Sequence, residues 1–205
     1  MTPKIKICGI TNLDDARLAV ALGADMLGFI FYAKSRRCVS RDAAAAIIRA
    51  LPATVERVGV FVNETAPVIR ETLTACNLTA LQFHGEETPG FCRQFTARRI
   101  KAIRVRDAKS LRAAAEYDVD ALLLDTYTDS ERGGTGKTFD WSLAIQAKSL
   151  GRPIILSGGL TPDNVREAIR VAQPDAVDVA SGVEREPGHK DADKLRRFIE
   201  ACKTN

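Results

Sequence analysis

The chain has 205 residues, of which 45% are hydrophobic and 27% charged, enough for one well-buried core and too few for two comfortable domains. No apolar stretch approaches the ~20 residues of a membrane helix, and the first residues carry no signal-peptide pattern, so a cytoplasmic location without a membrane partner is expected. The net charge of +4 is mild, with basic and acidic residues interspersed, which argues against nucleic acid and leaves a small anionic ligand as a compatible partner.

In chain order, short apolar or β-branched runs alternate with stretches of helical period, as parallel βα units do. The first run, KIKICGI at 4–10, ends in Cys8-Gly9. A helix over 12–22 follows, with Asn12 as N-cap, Asp14 and Asp15 in its first turn and Gly23 just past its end. The second strand, 24–32, leads through YAKSRRCV, with Lys34, Arg36 and Arg37, to a helix over 41–51. The third and fourth strands, 56–63 and 80–85, end in Asn63 and in His84-Gly85, and precede helices over 66–76 and 88–97. A fifth strand at 99–105 and a helix at 108–117 come next. The sixth strand, 121–127, closes a leucine run on Asp125; its helix is expected at 141–150, with Trp141 anchored in the core and Gly151 at the end. The seventh strand, 153–159, ends in Ser157-Gly158-Gly159, and TPDNV starts a helix over 162–172 with Thr161 as cap and Pro162 in first position. The eighth, 176–183, ends in Ser181-Gly182 and leads to a last helix over 190–202.

Eight βα units in this length fit an α/β fold, a single-domain (β/α)8 TIM barrel over 1–205. An open doubly wound sheet is the structural alternative, but CGITN follows the first strand where that fold carries a GxGxxG turn. Chemistry in such barrels sits at the C-terminal ends of the strands, and almost every reactive residue falls there. Gly158 and Gly159, then Ser181 and Gly182, lie on consecutive strand ends where backbone N–H groups can converge on a phosphate. Arg37 is either part of a solvated basic loop or a second anion-binding group, since its planar fork suits a carboxylate. Asp125 is either a turn residue or a partly desolvated carboxyl suited to donate a proton. Strand alternation turns Lys6 to the same side as Cys8, one layer deeper. A buried ammonium needs a carboxylate, and Asp178 on the neighbouring eighth strand is the expected partner.

The five cysteines form no CxxC pair and, with the two histidines, no metal-ligand spacing. No metal is expected. Cys76, Cys92 and Cys202 fall on helix patterns and are expected as packed small hydrophobes.

KICGIT, ADMLGFIFYAKSRRCV, RVGVFVN, LQFHGEE, LLLDT, GGTGKTFDW, LSGGLTPDNV and VDVASGVE, in this order from first strand to last helix, resemble the phosphoribosylanthranilate isomerase family of tryptophan biosynthesis. The resemblance implies an Amadori rearrangement of the sugar phosphate N-(5'-phosphoribosyl)anthranilate to 1-(2-carboxyphenylamino)-1-deoxyribulose 5-phosphate, with no cofactor and no metal. It implies that Cys8 is the general base, Asp125 the general acid, Arg37 the carboxylate-binding arginine, and Gly158, Gly159, Ser181 and Gly182 the phosphate loops. Lys6 and Asp178 would support the site from below. His84 would shape its rim without an assigned chemical step. A cysteine near its reference pKa is only about 3% thiolate at pH 7, so either the site favours the thiolate or the base forms as substrate binds.

The chain departs from the expected family pattern at Ala33, Arg36 and Cys38 in the second loop, where prolines and an aromatic are usual, and at Ala180, where a serine is. Two other functions compete. One is the related histidine-pathway or dual-specificity isomerase, which carries an aspartate where Cys8 stands. The other is a non-catalytic sugar-phosphate binder. The oligomeric expectation is a monomer or a homodimer.

Overall fold

Strands buried on both faces must be apolar at both parities, and the first, sixth and eighth runs of this sequence are nearly so. The computed structural model, which describes residues 2–105, 107–126 and 141–203, closes these runs into a parallel barrel in strand order β1 to β8. The strands are β1 Lys4–Cys8, β2 Met26–Ile30, β3 Glu56–Phe61, β4 Ala80–Phe83, β5 Arg98–Val105, β6 Ala121–Thr126, β7 Ile154–Leu156 and β8 Ala176–Val179. β8 pairs back onto β1, with Lys6 opposite Asp178. The GGTGKTFD stretch of the sixth loop lies outside the described residues.

The two strand faces have different occupants. Ile5 and Ile7 of β1, Leu81 and Phe83 of β4, and Leu122 and Leu124 of β6 point outward into the layer under the helices. The opposite parity forms a second, smaller cluster inside the barrel, made by Met26, Val58, Ala80, Ile100, Ala102, Ala121, Leu123, Ile155 and Ala176. Following that inner parity towards the C-terminal ends leads to Lys6 and Cys8 on β1, Gln82 on β4, Asp125 on β6 and Asp178 on β8. Apolar residues plug the bottom of the barrel, and polar ones collect at its mouth.

The helices are α1 Leu13–Leu22, α2 Arg41–Arg49, α3 Ala66–Ala75, α4 Pro89–Cys92, α5 Ala108–Ala114, α6 Ser142–Ala147, α7 Val165–Ala172 and α8 Ala192–Lys203. Asn12 caps α1 by accepting from the Asp15 N–H, and Gly23 ends it in the left-handed region, as expected. Gly151 is left-handed too, after a 3-10 turn at Lys148–Leu150. Trp141 packs against the outer core, and Cys76, Cys92 and Cys202 are buried.

Besides shortened ends, as in β7, α5 and α6, the differences from expectation fall at α4, at α7 and after β8. α4 stops after one turn because Phe91 and Phe95 both fold back onto Phe83, at centroid distances of 6.1 and 5.4 Å. α7 starts at Val165, not at Pro162. The Asn164 side chain accepts from the Thr161 N–H at 2.8 Å and donates to the Gly159 carbonyl at 2.9 Å, so it holds residues 161–164 as a turn against helix propagation. The chain after β8 makes a 3-10 turn at Ser181–Val183 and then a short antiparallel hairpin, β9 Glu184–Glu186 with β10 His189–Lys190.

Candidate active site

Lys6 is fully buried in the barrel, and its Nζ lies 2.8 Å from Asp178 Oδ1. Asp178 Oδ2 accepts from Ser157 Oγ at 3.0 Å. The carboxylate therefore joins the ends of β1 and β7 through β8. Burial works against the Lys6 ammonium, but Asp178 first and Cys8 second hold its pKa above the ordinary lysine value.

Cys8 sits one layer higher, on the same inner face and also buried. Burial pushes its thiol pKa up; Lys6 opposes that shift, Asp178 adds to it, and Lys190 opposes it more weakly. Desolvation wins, so in the free site Cys8 is a thiol.

Arg37 arches over Gly9, next to Cys8. Its Nε lies 2.9 and 3.0 Å from the two Glu184 carboxylate oxygens, and its Nη2 2.7 Å from Oε2. Lys190 is buried behind this pair and donates to Glu184 Oε1 at 3.0 Å, to the Ala180 carbonyl at 3.2 Å and to the Cys8 carbonyl at 2.6 Å. Burial opposes the Glu184 carboxylate, yet Arg37 and Lys190 hold its pKa below the usual range. Burial pulls Lys190 itself downward against the pull of Glu184. The hairpin thus clamps the Nε–Nη2 edge of the Arg37 fork.

Gly158 and Gly159 both adopt positive φ, 82° and 67°, which the Asn164 bonds help to hold. Gly182 comes so close to the neighbouring loop that an added Cβ would stand 1.9 Å from the Leu160 carbonyl oxygen. Only glycine permits that approach. The β7 and β8 loops are therefore pressed together, with Gly159 and Ser181 exposed at the mouth. The 3-10 turn at Ser181–Val183 follows directly, the arrangement of the phosphate site common to such barrels. On the far wall, Asp125 Oδ2 lies 3.2 Å from His84 Nε2, and His84 Nδ1 lies 2.8 Å from Gln82 Nε2. A buried Lys101–Glu87 pair (2.8 Å) braces the loop that carries His84, with Lys101 also donating to the Gly85 carbonyl at 2.6 Å.

Cys8, Asp125, Arg37 and the glycine loops after β7 and β8 all lie at the C-terminal ends of the barrel strands. A match to the family model described as "N-(5'phosphoribosyl)anthranilate (PRA) isomerase" covers residues 5–201. The chain belongs to this family. It is 52% identical to the N-(5'-phosphoribosyl)anthranilate isomerase of Citrifermentans bemidjiense over 98% of this chain and 97% of that one. It is 53% identical to that of Pelobacter propionicus, over 98% and 95%. The crystal structure of phosphoribosyl anthranilate isomerase from Thermotoga maritima superposes with a TM-score of 0.92 at 47% identity, covering 98% of both chains. A phosphoribosyl anthranilate isomerase solved in complex with reduced 1-(o-carboxyphenylamino)-1-deoxyribulose 5-phosphate superposes at 0.88 with 44% identity, again over 98% of both.

Against the isomerase pattern, the Ala180 departure is accommodated because that residue's carbonyl, not its side chain, meets Lys190. Cys38 is exposed. Glu184, Lys190, Gln82 and Gly28 are the site residues that sequence reasoning missed. Inner-face parity in LQFHG marks Gln82, and parity in MLGFI marks Gly28; nothing in EREPGHK distinguishes the buried Glu184 and Lys190 from a solvated loop. A cavity of about 900 Å³ lies at the opposite end of the strands, lined by Lys4, Met26, Arg98, Ile155 and Asp175 among others. Cys8, Arg37, Asp125, Ser181 and the glycines of the β7 and β8 loops do not line it, and that end of a barrel is associated with stability, not chemistry.

Proposed function

We propose that the barrel mouth carries out the family's isomerisation, a step of tryptophan biosynthesis, with Cys8 as general base and Asp125 as general acid. The observation that supports this most directly is the shared inner face: both residues end strands on one rim, above the braced Lys6–Asp178 pair. The phosphate of N-(5'-phosphoribosyl)anthranilate is bound by the backbone of Gly158, Gly159 and Gly182 and by Ser181. Arg37 takes the anthranilate carboxylate.

Asp125 protonates the ribose ring oxygen as the C1'–O4' bond breaks, and the nitrogen lone pair forms an iminium. That cation acidifies the C2' proton, which Cys8 removes to give an enolamine; tautomerisation then gives the ketone. The raised thiol pKa makes the timing specific. A thiolate is disfavoured while the site is empty and becomes favoured when the iminium places positive charge beside it. Ring opening is driven by the substrate's own nitrogen lone pair and the remaining steps are proton transfers, so the cycle calls for no cofactor. We read the chain as one cytoplasmic domain working as a monomer or homodimer. Among the described residues no helix is long and apolar enough to cross a membrane.

Loss of substrate fluorescence measures turnover directly. Cys8→Ser and Asp125→Asn are each expected to lower kcat by at least about 10²-fold while still binding a product analogue. Near wild-type turnover in Cys8→Ser removes Cys8 as the base.

A further inference from the structure

We propose that Gln82 is a positioning residue that fixes the tautomer of His84 and so decides which oxygen of Asp125 carries the transferable proton. This rests on Asp125 being the acid.

Gln82 lies mid-strand on β4, with its side chain inside the barrel, paired in register with Val60 and Ile100. It is 1% exposed. Among the described residues its Oε1 is buried with no hydrogen-bond partner. The fold gains nothing from an amide here, because an apolar side chain in the same space would leave no unpaired acceptor. What the position does supply is one donor, Nε2–H, 2.8 Å from His84 Nδ1.

An amide nitrogen only donates, so Nδ1 must present its lone pair, and the single proton of a neutral imidazole then sits on Nε2. That N–H donates to Asp125 Oδ2 at 3.2 Å. An oxygen accepting from Nε2–H directs no proton of its own at the ring. The acidic proton of Asp125 is therefore on Oδ1, which accepts no hydrogen bond among the described residues. With the opposite tautomer, the Nε2 lone pair would draw the carboxyl proton onto Oδ2, away from the sugar. In the transfer itself the Oδ1–H bond breaks, the C1'–O4' bond cleaves and the proton becomes that of the C4' hydroxyl. Asp125 is left as a carboxylate still held by the same Nε2–H, and His84 keeps its own proton throughout.

The chain has two histidines, so ¹⁵N-histidine labelling in a His189→Gln background leaves one imidazole to observe. At pH 8, where a free imidazole is neutral, the spectrum is expected to show Nε2 protonated and Nδ1 bare. Gln82→Met removes the donor while keeping the length. It is expected to abolish that tautomer preference and to lower kcat at least about tenfold with KM changed by less than about twofold. Its melting temperature should stay the same or rise, which a merely structural glutamine would not allow. Gln82→Glu, which accepts from Nδ1–H, should be the less active of the two. A wild-type imidazole protonated at Nδ1, or at both nitrogens, overturns the proposal, as does Gln82→Met with wild-type kcat. Substantial turnover in Asp125→Asn would instead remove the acid assignment and leave the tautomer result standing.

Discussion

Cys8 owes its room to a residue that has no side chain. A Cβ on Gly28, the register partner of Cys8 on β2, would stand 2.7 Å from Cys8 Sγ and 3.1 Å from Lys6 Nζ. The thiol it accommodates has a raised pKa, and the reactive form is the thiolate, so at any pH near neutrality the free enzyme holds less of it than an ordinary cysteine would. Alkylation by iodoacetamide, followed by peptide mass spectrometry, should therefore modify the exposed Cys38 first. Reaction at Cys8 should keep accelerating with pH above the ordinary thiol range of about 8.5. Equal rates for the two at pH 7 would mean a preformed thiolate. Glu184→Gln tests the clamp on Arg37. KM should rise about tenfold, the equivalent of ~1.4 kcal/mol and the low end of a charge-assisted hydrogen bond, with kcat moved less. At this scale the sequence was readable wherever alternation applied: Lys6, Cys8 and Asp178 follow from parity in strands 1 and 8. Glu184 and Lys190 were not readable, because a buried ion pair within EREPGHK has the composition of a surface turn.

The loops after β7 and β8 act as one element, since the Gly182 backbone rests on the Leu160 carbonyl and Asn164 ties Gly159 to the turn before α7. Gly182→Ala forces the two apart by putting a methyl 1.9 Å from a backbone oxygen. Overpacking of this kind typically costs about 1–3 kcal/mol, which thermal denaturation would register as a fall of several degrees, at roughly 2–4 °C per kcal/mol for a chain of this size. The affinity for a phosphorylated product analogue should fall further than the affinity for anthranilate; equal losses would separate Gly182 from phosphate binding. The eight strands and their order were legible from periodicity, and so was the cap at Asn12. The late start of α7 was not: Thr161-Pro162 is a good opening for a helix, and only the Asn164 side chain, bonded in three dimensions to residues 159 and 161, overrides it.

Across the whole molecule, the Lys6–Asp178 pair decides how much of the barrel interior is polar. Lys6→Met leaves Asp178 charged and unpaired under the site, a loss on the order of 3–5 kcal/mol. The double variant Lys6→Met, Asp178→Leu should recover most of that stability while remaining poorly active, which denaturant titration and turnover together would establish. A double variant as unstable as the single one would mean that the pair itself holds the barrel. The same pair joins positions 172 residues apart, and the Lys190 bond to the Cys8 carbonyl joins positions 182 apart. Ring closure, with β8 docking on β1, is therefore the step at which the catalytic pocket comes into existence. During refolding, turnover should return only in the last kinetic phase, after most helical signal has recovered, so no partly folded species can turn over the substrate.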